Sequence, residues 1–548
     1  MRRLVSPLAL ARHPTAPLLA LIVAALGCVA VFDLGAPLAF NDDWVYAWSA
    51  RNLSLGRGLH PGPEQAAAAV FHQVWATVLT LAHPDQRLLR LSILPLAALT
   101  IWCVHLLAKQ LGASQMWSVI AAASFAGAPL FLSLSTTYMT DVAFTALLTA
   151  TAAAGTAWIQ HGRMMMVTVA LAALAILERQ TGVAIVPAMA VGLWLASRRR
   201  PVTRTDILWF AGLCAAALTA FVLPVTFAGG TQRAVLGSLG KENAANLIGP
   251  LVRMPTTIGL FAIPLLGGLL PRLPTRRRIP SAAVLGVVGA LYLVLFAVFY
   301  PGNVVLPGDY FGPWGIGPPH VLGHKPTLIP RIPYAGLEVL CLLAAVAMGS
   351  AVRQVWRQVE LRPAVAAWAI LGLAQLAPAA HFGTFDRYYL PLGALAVPLG
   401  AAAASRRSTR SRHLWAIGAV ALGVGFYVIG EQDYQAWQGA RDQAARLLYT
   451  YYSPGQVDAG FEANGTYFLV PLYDAHGGQL PGPQPVAPGD SLAVNGPAHP
   501  CAKLRFAAPG APGPGYSYWS LAPGRVVLRA NPGQPGCPAV PSLPVNPR

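Results

Sequence analysis

Residues 15–37 read TAPLLALIVAALGCVAVFDLGAP, and residues 38–44 continue as LAFNDDW. The first stretch is long and apolar enough to cross a bilayer, which takes roughly 20 such residues. The second places two adjacent carboxylates, Asp42 and Asp43, where that span would leave the hydrocarbon. The first run does not read as a cleaved signal peptide, because it is long and Asp33 follows without a small-residue cleavage site.

Similar runs recur near 88–108, 116–136, 142–160, 164–178, 183–197, 207–228, 256–271, 281–300, 334–352, 364–380, 388–404 and 413–430. Together they predict about thirteen spans. Composition agrees. Over 548 residues 55% are hydrophobic, only 11% are charged, and mean hydropathy is +0.52. A soluble domain carries about 25% charged residues, so soluble-enzyme, coiled-coil and disordered-chain readings are excluded.

The net charge of +18 would suggest nucleic acid in a soluble chain. Here its location decides its meaning. Alternate loops hold the basic clusters: Arg2, Arg3 and Arg12; Lys109; Arg163; Arg198, Arg199, Arg200 and Arg204; Arg272 and Arg276 to Arg278; Arg353, Arg357 and Arg362; Arg406, Arg407, Arg410 and Arg412. These segments hold 20 of the 38 Lys and Arg and, of the 20 acids, only Asp206 and Glu360, which accounts for the whole excess. By the positive-inside rule this face is cytoplasmic. The charge is therefore a topology signal opposite anionic lipid headgroups, and no nucleic-acid partner is expected.

The expected fold is an all-α polytopic membrane protein with a small C-terminal extracytoplasmic β-rich domain. Residues 1–430 form the transmembrane domain, 38–87 its long first outer loop, and 431–548 the soluble domain. An amphipathic stretch near 65–81 suits an interfacial helix. Short alternating runs at 466–470 and 526–529 between Pro/Gly breaks read as strands. An odd number of spans leaves the N-terminus cytoplasmic and 431–548 outside, in a bacterial-type inner membrane. Cys501 and Cys537 then suit a disulfide, while Cys28, Cys103, Cys214 and Cys341 read as core thiols.

The outer ends of the spans hold the unusual residues. Asp42 and Asp43 suit a general base or a cation ligand, and equally a helix N-cap. Thr140-Asp141 suits a cap for the following span. Glu178-Arg179-Gln180-Thr181-Gly182 offers an interfacial charge pair or, through the planar fork of Arg179, a phosphate site. Arg387-Tyr388-Tyr389-Leu390-Pro391 resembles ordinary interfacial anchors. His72, His320 and His324 lie in outer loops without metal-ligand spacing. No P-loop, dinucleotide fingerprint or nucleophile elbow occurs.

In combination, on one face and in this order, these motifs resemble the GT-C superfamily of integral membrane glycosyltransferases. More narrowly they resemble the protein O-mannosyltransferase group and the lipid A aminoarabinose transferases. The acidic pair matches Asp42-Asp43. The outer Thr-Asp matches Thr140-Asp141. The Thr-Lys-x-x-Gly motif is met loosely by 178–182 with Arg179 for lysine. The Arg-Tyr-x-x-Pro motif is met by 387–391, one residue tighter. The His/Lys-Pro-Pro-Leu-Tyr turn keeps His72 but lacks its prolines.

The resemblance implies transfer of a sugar from a polyprenyl-phosphate donor to a lipid, glycan or protein hydroxyl outside the cytoplasm. It makes Asp42 or Asp43 the base, with Asp43 slightly preferred. Asp141 shapes the site, Arg179 and Arg387 hold the phosphate, and Tyr388, His72 and Glu178 line the substrate. No cofactor is called for with certainty. The resemblance leaves room for a divalent cation, although the sequence shows no ligand set. A lipid or glycolipid transporter or flippase and a non-catalytic envelope assembly factor are the alternatives. Transporters, however, place ionisable groups near mid-membrane and show internal repeats.

Overall fold

In a computed structural model of the protein, the described residues are 15–33, 40–59, 65, 69–80, 85–227, 248–270, 306, 308, 310–317, 327–382, 385–406, 409–453, 456–475, 500–508, 515–518, 524–530 and 537. The apolar runs fold as helices, the form that satisfies every backbone group within one segment. In chain order these are α1 Ala16–Asp33, α2 Asp43–Ser54, α3 Val70–Leu79, α4 Gln86–Gln110, α5 Gln115–Ala126, α6 Pro129–Ser135, α7 Thr140–His161 and α8 Met165–Glu178. They continue as α9 Gln180–Ser197, α10 Arg204–Phe227, α11 Ile248–Leu269, α12 Arg331–Trp356, α13 Arg362–Ala380, α14 Asp386–Ser405 and α15 Arg410–Tyr451.

Among the described residues nine helices are long and apolar enough to cross a membrane, or ten if the bent pair α5–α6 counts as one. The chain is a multi-pass membrane protein. Every predicted run except 281–300 coincides with a helix; that run, His320 and His324 lie outside the described residues. The run 116–136 is bent by 65° rather than straight. Gly127 ends α5 and Pro129 opens α6, where its missing N–H costs nothing.

The core surrounds α7. This helix carries five threonines yet is almost entirely buried. Thr145, Thr149, Thr151 and Thr156 each donate to the carbonyl four residues back, so no hydroxyl is stranded in the dry interior. Trp368 of α13 donates to Thr156 Oγ1 at 2.9 Å and ties the neighbouring helix to it. Small residues let backbones meet elsewhere: a Cβ added at Gly259 of α11 would stand 1.8 Å from the Cys341 carbonyl of α12.

The helix α15 runs for 42 residues and passes residue 430 without a break. At 1.5 Å per residue it is about twice as long as a bilayer core is thick. Its far end carries a four-stranded sheet in the order β3 Val457–Asp458, β4 Ala502–Ala507, β6 Gly524–Ala530, β5 Gly515–Tyr518. The pair β3–β4 is parallel and the others antiparallel. Trp437 of α15 stacks on Phe506 of β4 with ring centroids 5.3 Å apart. Cys501 and Cys537 are bonded, with Cα atoms 5.5 Å apart. A small hairpin, β1 Phe311–Gly312 and β2 Gly315–Ile316, lies in the Gly/Pro-rich loop.

One expected strand is overturned. Residues 466–470 are helical, within the segments Phe461–Asn464, Gly465–Leu469 and Val470–Ala475. Their β-branched and aromatic residues do not build a ladder. Leu469, Phe461 and Val470 instead pack against Trp44, Val45 and Trp48 of α2. Tertiary packing overrides the strand propensity. The run at 526–529 does form a strand, β6.

Candidate active site

Asp42 occupies the N-cap position of α2, but its side chain makes no cap bond. It reaches across to α14, where Oδ2 accepts from Arg387 Nη1 at 3.0 Å. The Asp42 side chain is 30% exposed and that of Arg387 only 9%. Asp43 points the other way and is fully buried. Its Oδ2 accepts from the Phe40 N–H at 3.3 Å and Gln86 Nε2 at 3.5 Å, and faces Arg90 Nε at 3.5 Å. The adjacent acids thus do different work: one faces the cluster below, the other ties α2 to α4.

The second limb starts where α8 ends. Arg179 adopts extended backbone, φ −141° and ψ 133°, and the chain then folds back over α8. A Cβ added at Gly182 would stand 3.0 Å from the Ala175 carbonyl, which is why the fold-back takes glycine there. Arg179 donates through Nε and Nη2 to Thr140 Oγ1 at 2.9 and 2.7 Å, and through Nη2 to Asp141 Oδ1 at 2.7 Å. Thr140 and Asp141 begin α7, but neither makes a capping bond. Asp141 Oδ2 is buried without a hydrogen-bond partner among the described residues.

The third limb is the 3₁₀ turn Asp386–Tyr389 that opens α14. Pro391 sits in the first turn of the α-helical part, Leu390–Ser405, where its fixed φ suits helix initiation. Tyr388 joins the two arginines: the guanidinium carbons of Arg387 and Arg179 lie 5.3 and 5.9 Å from its ring centroid. The structure therefore gathers Asp42, Asp141, Arg179, Arg387 and Tyr388 from four separate segments of the chain.

His72 and Glu178 lie together behind this cluster, both fully buried. His72 Nδ1 stands 3.4 Å from Glu178 Oε1, and Nε2 lies 3.2 Å from the Tyr138 carbonyl. Tyr138 returns a bond to the His72 carbonyl at 3.1 Å. Ala69 N–H donates to the Glu178 carbonyl at 3.0 Å. Burial pushes the His72 imidazole down to about 3, so the ring carries no charge near neutral pH. Glu178 thus meets His72 rather than its neighbour Arg179. Burial, and secondarily Asp42, push the Tyr46 phenol up, which leaves it protonated.

Several contributors have no role in the sequence reading. Asp386 accepts from the N–H groups of Tyr310 and Phe311 at 2.9 and 2.8 Å and so fixes the hairpin loop beside the site. Tyr310 stacks on Phe40 at 5.0 Å, while the Arg387 guanidinium carbon lies 5.7 Å from its ring. Asp386 is the residue before Arg387, and the loop's Gly/Pro density marks a built feature. Nothing in the sequence flags Arg90 as a partner of Asp43. Among the described residues no group of three or more His, Cys, Asp or Glu is placed to hold a metal ion.

Residues 68–225 match a family model described as dolichyl-phosphate-mannose-protein mannosyltransferase. This segment contains His72, Asp141, Glu178 and Arg179, and leaves Asp42, Asp43 and Arg387 outside. No curated protein matches the chain. Similar solved structures include the S. cerevisiae protein O-mannosyltransferase Pmt1–Pmt2 complex bound to the sugar donor. It is 12% identical over 39% of this chain and 33% of that one, with TM-score 0.34. The oligosaccharyltransferase AglB from Archaeoglobus fulgidus, in complex with an inhibitory peptide and a dolichol-phosphate, is 14% identical over 88% and 64%, TM-score 0.46. ArnT from Cupriavidus metallidurans bound to undecaprenyl phosphate is 13% identical over 93% and 98%, TM-score 0.39. The chain thus spans a third of the length of the first and less than two thirds of the second. By the order of its motifs and by the family match over residues 68–225, the chain resembles the GT-C membrane glycosyltransferases.

Proposed function

We propose that this protein transfers a sugar from a polyprenyl-phosphate-linked donor to an acceptor hydroxyl on the extracytoplasmic face of a bacterial-type inner membrane. One observation carries the reading: two nearly buried arginines, Arg179 and Arg387, flank a single tyrosine beside a half-exposed carboxylate, Asp42. Anionic lipid phosphate and a hydroxyl to be deprotonated are what such a set serves. In this proposal the chain crosses the membrane thirteen times with its N-terminus cytoplasmic, and the part after α15 forms a β-rich unit outside. The acceptor is a lipid, a glycan or a protein.

The chemistry needs few parts. Asp42 accepts the proton of the acceptor hydroxyl as its oxygen bonds to the anomeric carbon. The bond from that carbon to the phosphate oxygen breaks, and its electron pair leaves with the polyprenyl phosphate. Arg387 and Arg179 stabilise the charge gathering there. Phosphate entry competes with Asp42 for Arg387 and so releases the carboxylate toward the acceptor. Asp43 is reassigned: enclosed with Arg90 it anchors α2, and Asp42 takes the role of base. Asp141 orients Arg179, and Tyr388 lines the phosphate. His72 and Glu178 support the turn that carries Arg179.

The test is transfer from labelled polyprenyl-phosphate sugars in membranes holding equal amounts of each variant. Asp42→Asn is expected to lose about 10²–10⁴-fold in rate. Near-full activity in Asp42→Asn would sink the assignment.

A further inference from the structure

The segment that follows α15 reaches back to the loop bearing the acidic pair. Glu462 is fully buried, and its two oxygens serve two distant partners. Oε1 accepts from the Asn41 N–H at 3.3 Å, and Oε2 accepts from Arg441 Nη1 of α15 at 2.9 Å. Arg441 is fully buried too, and its guanidinium carbon lies 4.9 Å from the Trp437 ring. Trp437 in turn stacks on Phe506 of the sheet.

Asn41 is the residue that needs holding. Its φ is +50°, in the left-handed region, directly before Asp42. That backbone is uncommon for a side-chain-bearing residue and persists where surrounding contacts fix it. Its position sets where the Asp42 carboxylate starts. Further along, the same segment grips α2. A Cβ at Gly465 would stand 2.3 Å from the Trp44 indole, and Asp474 accepts from Trp48 Nε1 at 3.1 Å.

We infer that Glu462 is a positioning residue for the candidate base: braced by Arg441, it locks Asn41 in the left-handed conformation and thereby aims Asp42 at Arg387. The inference rests on the proposed function for its kinetic consequence, not for its structural one. It gives the region after the last span a part in the site. That region clamps the first outer loop.

The experiment uses the full chain in nanodiscs with a labelled polyprenyl-phosphate sugar. Glu462→Ala is expected to lower kcat about 10–100-fold, the scale of a small misplacement of a reacting group, with KM within about twofold. Hydrogen exchange at residues 41–46 is expected to accelerate about tenfold. Adding Asn41→Gly, which adopts φ +50° without strain, is expected to restore most of the lost rate. Asn41→Gly alone is expected to behave as the wild type. Asn41→Ala, which leaves the Glu462–Arg441 pair intact, is expected to lose several-fold, which keeps the test open if Glu462→Ala does not fold. Unchanged exchange at 41–46 in Glu462→Ala, or no recovery on adding Asn41→Gly, overturns the inference. If the wild type transfers no sugar, the proposed function fails and the exchange measurement alone decides the clamp.

Discussion

Two adjacent aspartates with different surroundings are the sharpest result at the scale of residues. Asp42 is half-exposed and paired with Arg387; Asp43 is enclosed with Arg90, Gln86 and the Phe40 N–H. Asp43→Asn is therefore expected to act on stability first, because it removes a fully buried carboxylate that faces a buried arginine. Thermal unfolding in detergent should show a drop of several degrees, larger than that of Asp42→Asn, whose carboxylate is 30% exposed. A second prediction concerns His72. The unfolded imidazole takes up a proton near 6.5 and the folded one only at about 3, so its own contribution to stability is present above 6.5 and is lost as pH falls toward 3. Between pH 7 and 8 the folded ring is neutral and does not titrate. His72→Gln should leave the shape of the rate–pH profile unchanged in that range; loss of a limb would mean that the ring takes part in proton transfer. The acidic pair and both arginines are legible in the sequence, because charges at span ends are costly without partners. Which aspartate faces the site is not legible, since the answer lies in Arg90, a residue that reads as an ordinary charge before a span.

Among the elements, the spans themselves are the most legible, because a run of apolar residues has one stable form in lipid. Their ends are less so. Thr140 and Asp141 fit the pattern of helix caps, yet they serve Arg179, and only the fold brings that arginine to them. The run 466–470 reads as a strand and folds as helix because its apolar side chains are used against α2. The break in α5–α6 is written in Gly127 and Pro129 but is hidden inside a run of the right length. Contacts between spans follow from small residues. At Gly259 a methyl group would collide with backbone rather than with a side chain that could move. Gly259→Ala should force α11 and α12 apart and cut the yield of monodisperse protein in size-exclusion chromatography severely. Gly336→Ala on α12, where a Cβ meets nothing within 4 Å, should not.

Across the whole molecule, charge and topology carry the account. The net +18 resides in segments assigned to one side, which leaves the rest of the chain neutral overall and its few clustered charges conspicuous. An alkaline phosphatase fused after residue 548 should be active and a green fluorescent protein dark; the reverse pattern would invert the sidedness of the site. Thiol labelling followed by a non-reducing gel should find Cys501 and Cys537 blocked until reduction. The long α15 and the segment after it hold the loop that bears the acidic pair, a coupling no local motif could reveal because Asn41 and Glu462 lie 421 residues apart. The most direct test of the central claim is mass spectrometry of envelope lipids and glycans from a deletion strain complemented with the wild type or with Asp42→Asn at equal membrane abundance. A sugar missing from the deletion strain, restored by the wild type and not by Asp42→Asn, is the predicted result. Full restoration by Asp42→Asn, or an envelope with no sugar missing at all, would contradict the account.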